Sequence, residues 1–303
     1  LAISVTTPAT TRRLTRVEHV LAEIAIPPTD HELIASLIDQ ASAAIERHCQ
    51  RTFGREVVLE TARAYGDNHL QLSRTPIVAV ASVLFDGTDV ILDYLVEDRD
   101  AGLLYRRAGW LSTASFHPGL TGRQRWPGWG HPLPDSEEAR FSATYTGGYI
   151  LPSQSLDGVI SVSAVASDSS FNAVAAAPFP RLVQAGDVIE TRGFTHAENN
   201  GRFIVTGTPT AAKIQVSGTL VDEAAGASVY VAFGPPAGCK GLEDVEKATI
   251  ETVKVWYKRR ADAETIQERI GDLEVRRDPR ATSAALPALA AALLAPWVRR
   301  VAA

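Results

Sequence analysis

The chain has 303 residues, 45% of them hydrophobic and 21% charged, with a formal net charge of -5. That is ordinary globular material, long enough for a sizeable core or two domains, and its acidic balance excludes a global attraction to phosphate backbones. Two cysteines, Cys49 and Cys239, make neither a disulfide framework nor a zinc site and fit a reducing, cytoplasmic setting. The start, LAISVTTPATTRRL, lacks the apolar core of a signal peptide, and no stretch approaches the roughly 20 apolar residues of a spanning helix. A soluble, non-exported chain without a membrane partner is expected.

Residues 1 to 13, rich in Thr and Pro, read as an extended arm whose order must come from a neighbour. A first helix is predicted from about Arg16 to Ala25, opened by a capping box of Thr15 and Glu18 and turning Val17, Val20, Leu21 and Ile24 inward. A second runs from His31 to Arg51, where Ile34, Leu37, Ile38, Ala41, Ala44, Ile45 and His48 recur at three- and four-residue steps on one face. Thr29 and Glu32 form its capping box, and Pro27-Pro28 forbids an earlier start. At about 30 Å long it needs partners along its apolar stripe.

From Val57 the pattern changes to short β-rich runs: VVLETARA, LQL, IVAVASVLF, VILDYLV, LLY and ARFSATYTGGY. Asp86-Gly87 is the strongest hairpin signal among them. The stretch from Arg106 to Glu138, with Trp110, Trp126 and Trp129, has no usable period and reads as a long functional loop. From Ser153 to Pro236 charge falls, and VISVSAVA, DVIETR, RFIVTG, KIQVSG and SVYVAF are spaced as in a small sandwich or barrel, with Asn199-Asn200-Gly201 as a hairpin turn. After Gly238 the helical period returns in LEDVEKATIETVKVWYKRR, the missing partner of the first two helices. A charged, irregular connection from Ala263 to Thr282 leads to a last helix, Ala284 to Leu294, with Pro287 near its first turn and Pro296 as its stop.

Two tandem domains would leave the final helix without its core, so the β-rich stretch 153–238 is read as an insertion into a discontinuous domain of residues 1–152 and 239–303. Deleting it should leave a coherent fold.

No catalytic constellation emerges, and no cofactor or metal is called for. His48 and Cys49 are adjacent on a helix and point about 100° apart, so they form no dyad. His117, His131 and His196 sit in loops without metal spacing, and Glu137-Glu138 and Asp98 with Asp100 read as charged loop faces. Phosphate-binding, dinucleotide-binding and serine-hydrolase motifs are absent. Lys254, Lys258, Arg259 and Arg260 complement the end of a helix dipole rather than mark a DNA contact. Trp126 and Trp129, and Trp297 beside Arg299 and Arg300, are residue types enriched at protein interfaces.

IDQASAAIERHCQRTF, LQLSRTPIVAVASVLFDG, LLYRRAGW, TYTGGY, LEDVEKATIETVKVWY, IGDLEV and LLAPWVRR, in that order, resemble the head-tail connector adaptors of long-tailed phages over most of residues 14–150 and 240–300. The resemblance implies an α+β fold, an adaptor-type helical bundle with a small β-hairpin or meander, here carrying an inserted all-β sandwich or barrel. It implies a virion structural protein of the neck, assembled in the host cytoplasm, not an enzyme. Such adaptors form a dodecameric ring beneath the portal protein, meet a stopper or tail-completion protein below, and let double-stranded DNA pass without specific binding. On that footing Leu289, Leu293, Leu294, Trp297, Arg299 and Arg300 are portal-interface candidates, and Asp86, Gly87, Trp126 and Trp129 are tail- or subunit-interface candidates. The insert lies outside the resemblance, and a surface- or carbohydrate-binding module is the alternative reading of it.

Overall fold

A computed structural model describes residues 2–63, 68–85, 88–90, 93–107, 109–110, 140–156, 162–174, 178–226, 228–262, 267–270, 273–276 and 286–299. The fold is mixed α+β. The chain divides into two compact units, Leu1–Ala9 with Arg55–Tyr149, and Thr10–Gly54 with Ile150–Ala303.

The first unit holds strands β1 (Ala2–Thr7), β2 (Glu56–Arg63), β3 (His69–Gln71), β4 (Ile77–Phe85), β5 (Thr88–Asp89), β6 (Leu95–Asp98), β7 (Leu103–Tyr105) and β8 (Arg140–Gly147). They form one antiparallel sheet of order β1-β2-β8-β4-β5 and a second of order β3-β7-β6. Alternation along β2 and β8 sends Val58, Phe141, Ala143 and Tyr145 into a core with Leu72, Ile77, Val83 and Leu104. The N-terminal arm is corrected here: it is a strand, with Ala2 opposite Thr61 and Val5 opposite Val58 of its own chain. Its β-branched residues Ile3, Val5, Thr6 and Thr7 suit a pleated ladder, and β2 supplies the partner that periodicity alone did not reveal. VILDYLV is not one strand: β5 ends at Asp89, before the run begins, and of its described residues only Leu95 and Val96 lie in a strand, at the start of β6. Trp110 is core rather than loop: its ring meets Phe141 edge-on at 4.7 Å, and its Nε1–H donates to the Asn68 carbonyl at 3.1 Å.

Two carboxylates lie buried on the inward face of β2. Glu60 accepts from the Ser73 backbone N–H at 2.9 Å, from Ser73 Oγ at 2.6 Å, and from the Tyr145 hydroxyl. Glu56 accepts from Arg74 Nε at 2.9 Å. Buried charge persists only when paired and hydrogen-bonded, and these contacts tie the 73–74 turn to the sheet. Burial first, and the neighbouring Glu60 carboxylate second, push the Tyr145 phenol well above its ordinary pKa. Gly147 is required by the same turn, because a Cβ there would lie 2.3 Å from the Arg74 carbonyl oxygen.

In the second unit, α1 (Val17–Leu21) and α2 (His31–Cys49) precede a β body of β9 (Val162–Val165), β10 (Ser170–Ala173), β11 (Asp187–Arg192), β12 (Gly201–Thr206), β13 (Lys213–Val216) and β14 (Tyr230–Pro236). Then come α3 (Glu243–Asp262), the hairpin strands β15 (Gln267–Ile270) and β16 (Leu273–Arg276), and α4 (Ala288–Leu294). The β body is a six-stranded antiparallel sheet of order β14-β11-β12-β13-β10-β9 with its own core of Phe171, Phe179, Ile189, Phe194, Ile214 and Val231.

Several local expectations are corrected. Neither capping box forms: Thr29 Oγ1 turns to Asp30, and Thr15 Oγ1 donates to Glu246 of α3 at 3.0 Å. The first helix is one short run, ending at Leu21. His48 is exposed, and Ser42 and Cys49 are buried on α2 beside Ala41 and Ile45. The β11–β12 connection is longer than a tight turn, with a 3-10 turn at Ala197–Asn199. The connection after α3 contains the β15–β16 hairpin, in which Gln267 lies opposite Arg276 and Ile270 opposite Leu273.

Candidate functional site

The residues that carry the adaptor resemblance in the two outer stretches of the chain meet in the helical part of the second unit. Val20 of α1, Ile34, Ile38 and Ala41 of α2, and Ile250 and Val253 of α3 form one buried cluster. Around it runs a charged seam. His19 Nδ1 lies 2.7 Å from Glu246 Oε1, Lys247 Nζ and Lys254 Nζ reach Glu23 at 2.8 and 2.9 Å, and Tyr257 donates to Asp30 at 2.7 Å. The hydrogen bond to Glu246 raises the His19 pKa against the lowering effect of burial. Hydrogen bonds from Lys247 and Lys254 lower that of Glu23. Lys254 therefore ties α3 to the turn that follows α1, while Lys258 and Arg259 are exposed at the end of α3.

The C-terminal segment is better provided for than the sequence suggests. Ala290 and Leu294 of α4 are buried, and the following turn buries Trp297 edge-on against Phe53, with ring centroids 5.9 Å apart. The Arg51 guanidinium stands 5.0 Å from the Phe53 ring and 5.4 Å from the Trp297 ring, and the Arg299 N–H donates to the Cys49 carbonyl at 3.0 Å. The segment thus closes the C-terminal end of α2. Of the portal-interface candidates, Leu294 and Trp297 belong to this packing, Leu293 and Arg299 are half-buried, and Leu289 is 56% exposed. Arg300, and the other set Asp86, Gly87, Trp126 and Trp129, lie outside the described residues, although Phe85 and Thr88 on either side of Asp86-Gly87 are paired across β4 and β5.

Other titratable residues have structural employment. Cys49 is buried, and burial pushes its thiol up to about 11, so it is not a nucleophile at neutral pH. His196 is exposed. Glu223 accepts from the backbone N–H groups of Thr195 and His196 and from Asn199 Nδ2, at 2.6, 3.1 and 3.0 Å. Burial opposes its ionisation, yet these donors hold its carboxyl down at about 2. Asp98 accepts from the Ala101 N–H within a turn, while His117, His131, Glu137 and Glu138 lie outside the described residues. Among the described residues no group of three or more His, Cys, Asp or Glu is arranged to hold a metal ion, and no helix is long and apolar enough to cross a membrane.

No family model and no curated protein matches the chain. Among solved structures, a chain of the "Virion of native gene transfer agent (GTA) particle" is similar at 14% identity and TM-score 0.31, covering 49% of this chain and 72% of that one. A chain of the "Neck of empty GTA particle computed with C6 symmetry" is similar at 15% identity, with the same TM-score of 0.31 and coverage of 49% and 72%. At that TM-score the likeness assigns neither fold nor role.

Sequence reasoning missed the Glu60–Ser73–Tyr145 cluster and the Glu223 clamp. The first left a signal: Glu56 and Glu60 share the strand face of the buried Val58, and an acid on an apolar strand face calls for partners. The second left none, because two backbone N–H groups and the Asn199 amide of the β11–β12 connection meet a carboxylate from a separate part of the chain. What the helical part of the second unit presents is a packed seam of α1, α2 and α3.

Proposed function

We propose that the chain is a ring-forming head-tail adaptor, a non-enzymatic structural protein of a virion neck. It would sit between the portal and the next neck or tail component and line part of the DNA channel. The observation that carries this reading is the union of α1, α2 and α3 around Val20, Ile34, Ile38, Ala41, Ile250 and Val253. The stretches of sequence that resemble adaptors at either end of the chain are parts of one helical body, as the resemblance requires. The net charge of -5 supports a channel role, since a strongly basic lumen would grip DNA through salt-dependent phosphate contacts. The β body within 153–238 is proposed as an insertion that leaves this helical core intact.

Purified chain is mixed with portal-bearing heads, and the particles are imaged as a density map. Many copies in a closed ring at the portal vertex are expected. Heads that acquire tails without the chain, or a chain located elsewhere on the particle, would rule the adaptor role out.

A further inference from the structure

We propose that β1 is an exchanged strand: in the ring, the N-terminal strand of one copy occupies the β2 edge of the next copy, in the register seen here within one chain. This rests on the ring-forming reading above and goes beyond it by naming the contact between copies.

The occupant that fits the β2 edge is visible in the structure. β1 lies along it from Ala2 opposite Thr61 to Thr7 opposite Val57. A second copy carries the same strand and can make the same ladder. Side chains do little to hold β1 in place, because Ala2 through Thr6 are all exposed. Ile3 and Val5 remain 37% and 40% exposed although they stand opposite the buried residues Glu60 and Val58. The ladder hydrogen bonds are therefore the main attachment, and exchange conserves them.

The connection permits exchange. The chain passes from the first unit to the second between Ala9 and Thr10. It is anchored again where Arg13 pairs with Asp39 at 2.6 and 2.8 Å and where the N–H of buried Leu14 donates to Ser42 Oγ at 3.1 Å. The stretch from Pro8 to Arg12 has neither helix nor strand. Five extended residues span about 17 Å. Residues 2–7 contain no charge and no proline, the devices that usually keep an edge strand from pairing with another chain. A donor strand and an acceptor edge are different surfaces of one chain. Their pairing is head-to-tail, the kind of contact that closes into a ring, and ring closure favours it over the equivalent ladder within one chain.

Ser4 lies opposite Leu59 in the ladder, and both are exposed. Two differently tagged full-length chains, one Ser4→Cys and the other Leu59→Cys, both with Cys239→Ser, are produced together and treated with a short bis-maleimide. In the ring fraction the two tags should become covalently joined, and a single chain carrying both cysteines should give a ladder of multimers. A ring fraction in which the double variant links only within a chain, and the tags never join, overturns strand exchange while leaving the adaptor reading standing. A chain that forms no ring, alone or on portal-bearing heads, overturns both.

Discussion

Glu60 shows what a single buried group does in the first unit. Its carboxylate receives Ser73 N–H, Ser73 Oγ–H and the Tyr145 hydroxyl, so removing it strands three donors out of water. Glu60→Ala should lower stability in urea unfolding by on the order of 3 kcal/mol, and Glu60→Gln by less, because the amide oxygen keeps one acceptor in place. In the second unit, His19 is the residue whose titration bears on stability. Its pKa is raised from 6.5 by Glu246 and Glu18, against burial and Arg16. The unfolded chain has the ordinary value, so the stabilising contribution is complete below about pH 6.5 and is lost as pH rises through the higher folded-state value. Amide exchange of Val17–Leu21 should therefore speed up by more than its intrinsic rate as pH rises above about 6.5. In His19→Gln that excess should vanish; an excess that persists would place the titration elsewhere.

At the scale of elements, the C-terminal segment is part of the helical body. Trp297→Ala removes a buried indole from Phe53 and Arg51, and a loss of about 3–5 kcal/mol in denaturant unfolding is expected. Leu289→Ala, at an exposed position, should change stability by less than about 0.5 kcal/mol. That contrast separates packing from partner contact. If Leu289→Ala leaves the subunit stable but weakens attachment to portal-bearing heads, the exposed face of α4 is the docking surface. Truncation after Thr282 should also destabilise the subunit, because it uncovers Phe53 and leaves the end of α2 without the Arg299 N–H. A truncated chain with an unchanged unfolding midpoint would contradict this packing.

For the whole molecule, the separate core of the β body makes an autonomous insertion testable. That core includes Ile150 and draws in Leu156, so the excised piece should begin at Ile150 rather than at Ser153. The segment 150–238 should give a β-type circular dichroism spectrum and a cooperative melt. The remaining chain, with a short Gly-Ser joint, should keep the helical signal of α1, α2 and α3. A disordered spectrum for the excised piece would mean that the β body depends on the helices for its fold.

Periodicity was enough to locate α2, α3, α4 and most strands, because each buries one face and that burial imposes a period of 3.6 or 2 on the residue order. The change of composition near residues 153 and 238 likewise marked the β body, since a separate core needs its own apolar set. Local residue order was not enough for the capping boxes, where Thr15 could serve its own helix or reach Glu246 far along the chain, and the fold chose the latter. Nor could it assign the β15–β16 hairpin, or β1, whose exposed residues owe their order to β2 and not to a buried face of their own. The fate of Trp297 was equally hidden. An aromatic residue near a chain end reads the same whether it waits for another protein or folds back, and only the pocket made by Phe53 and Arg51 distinguishes the two.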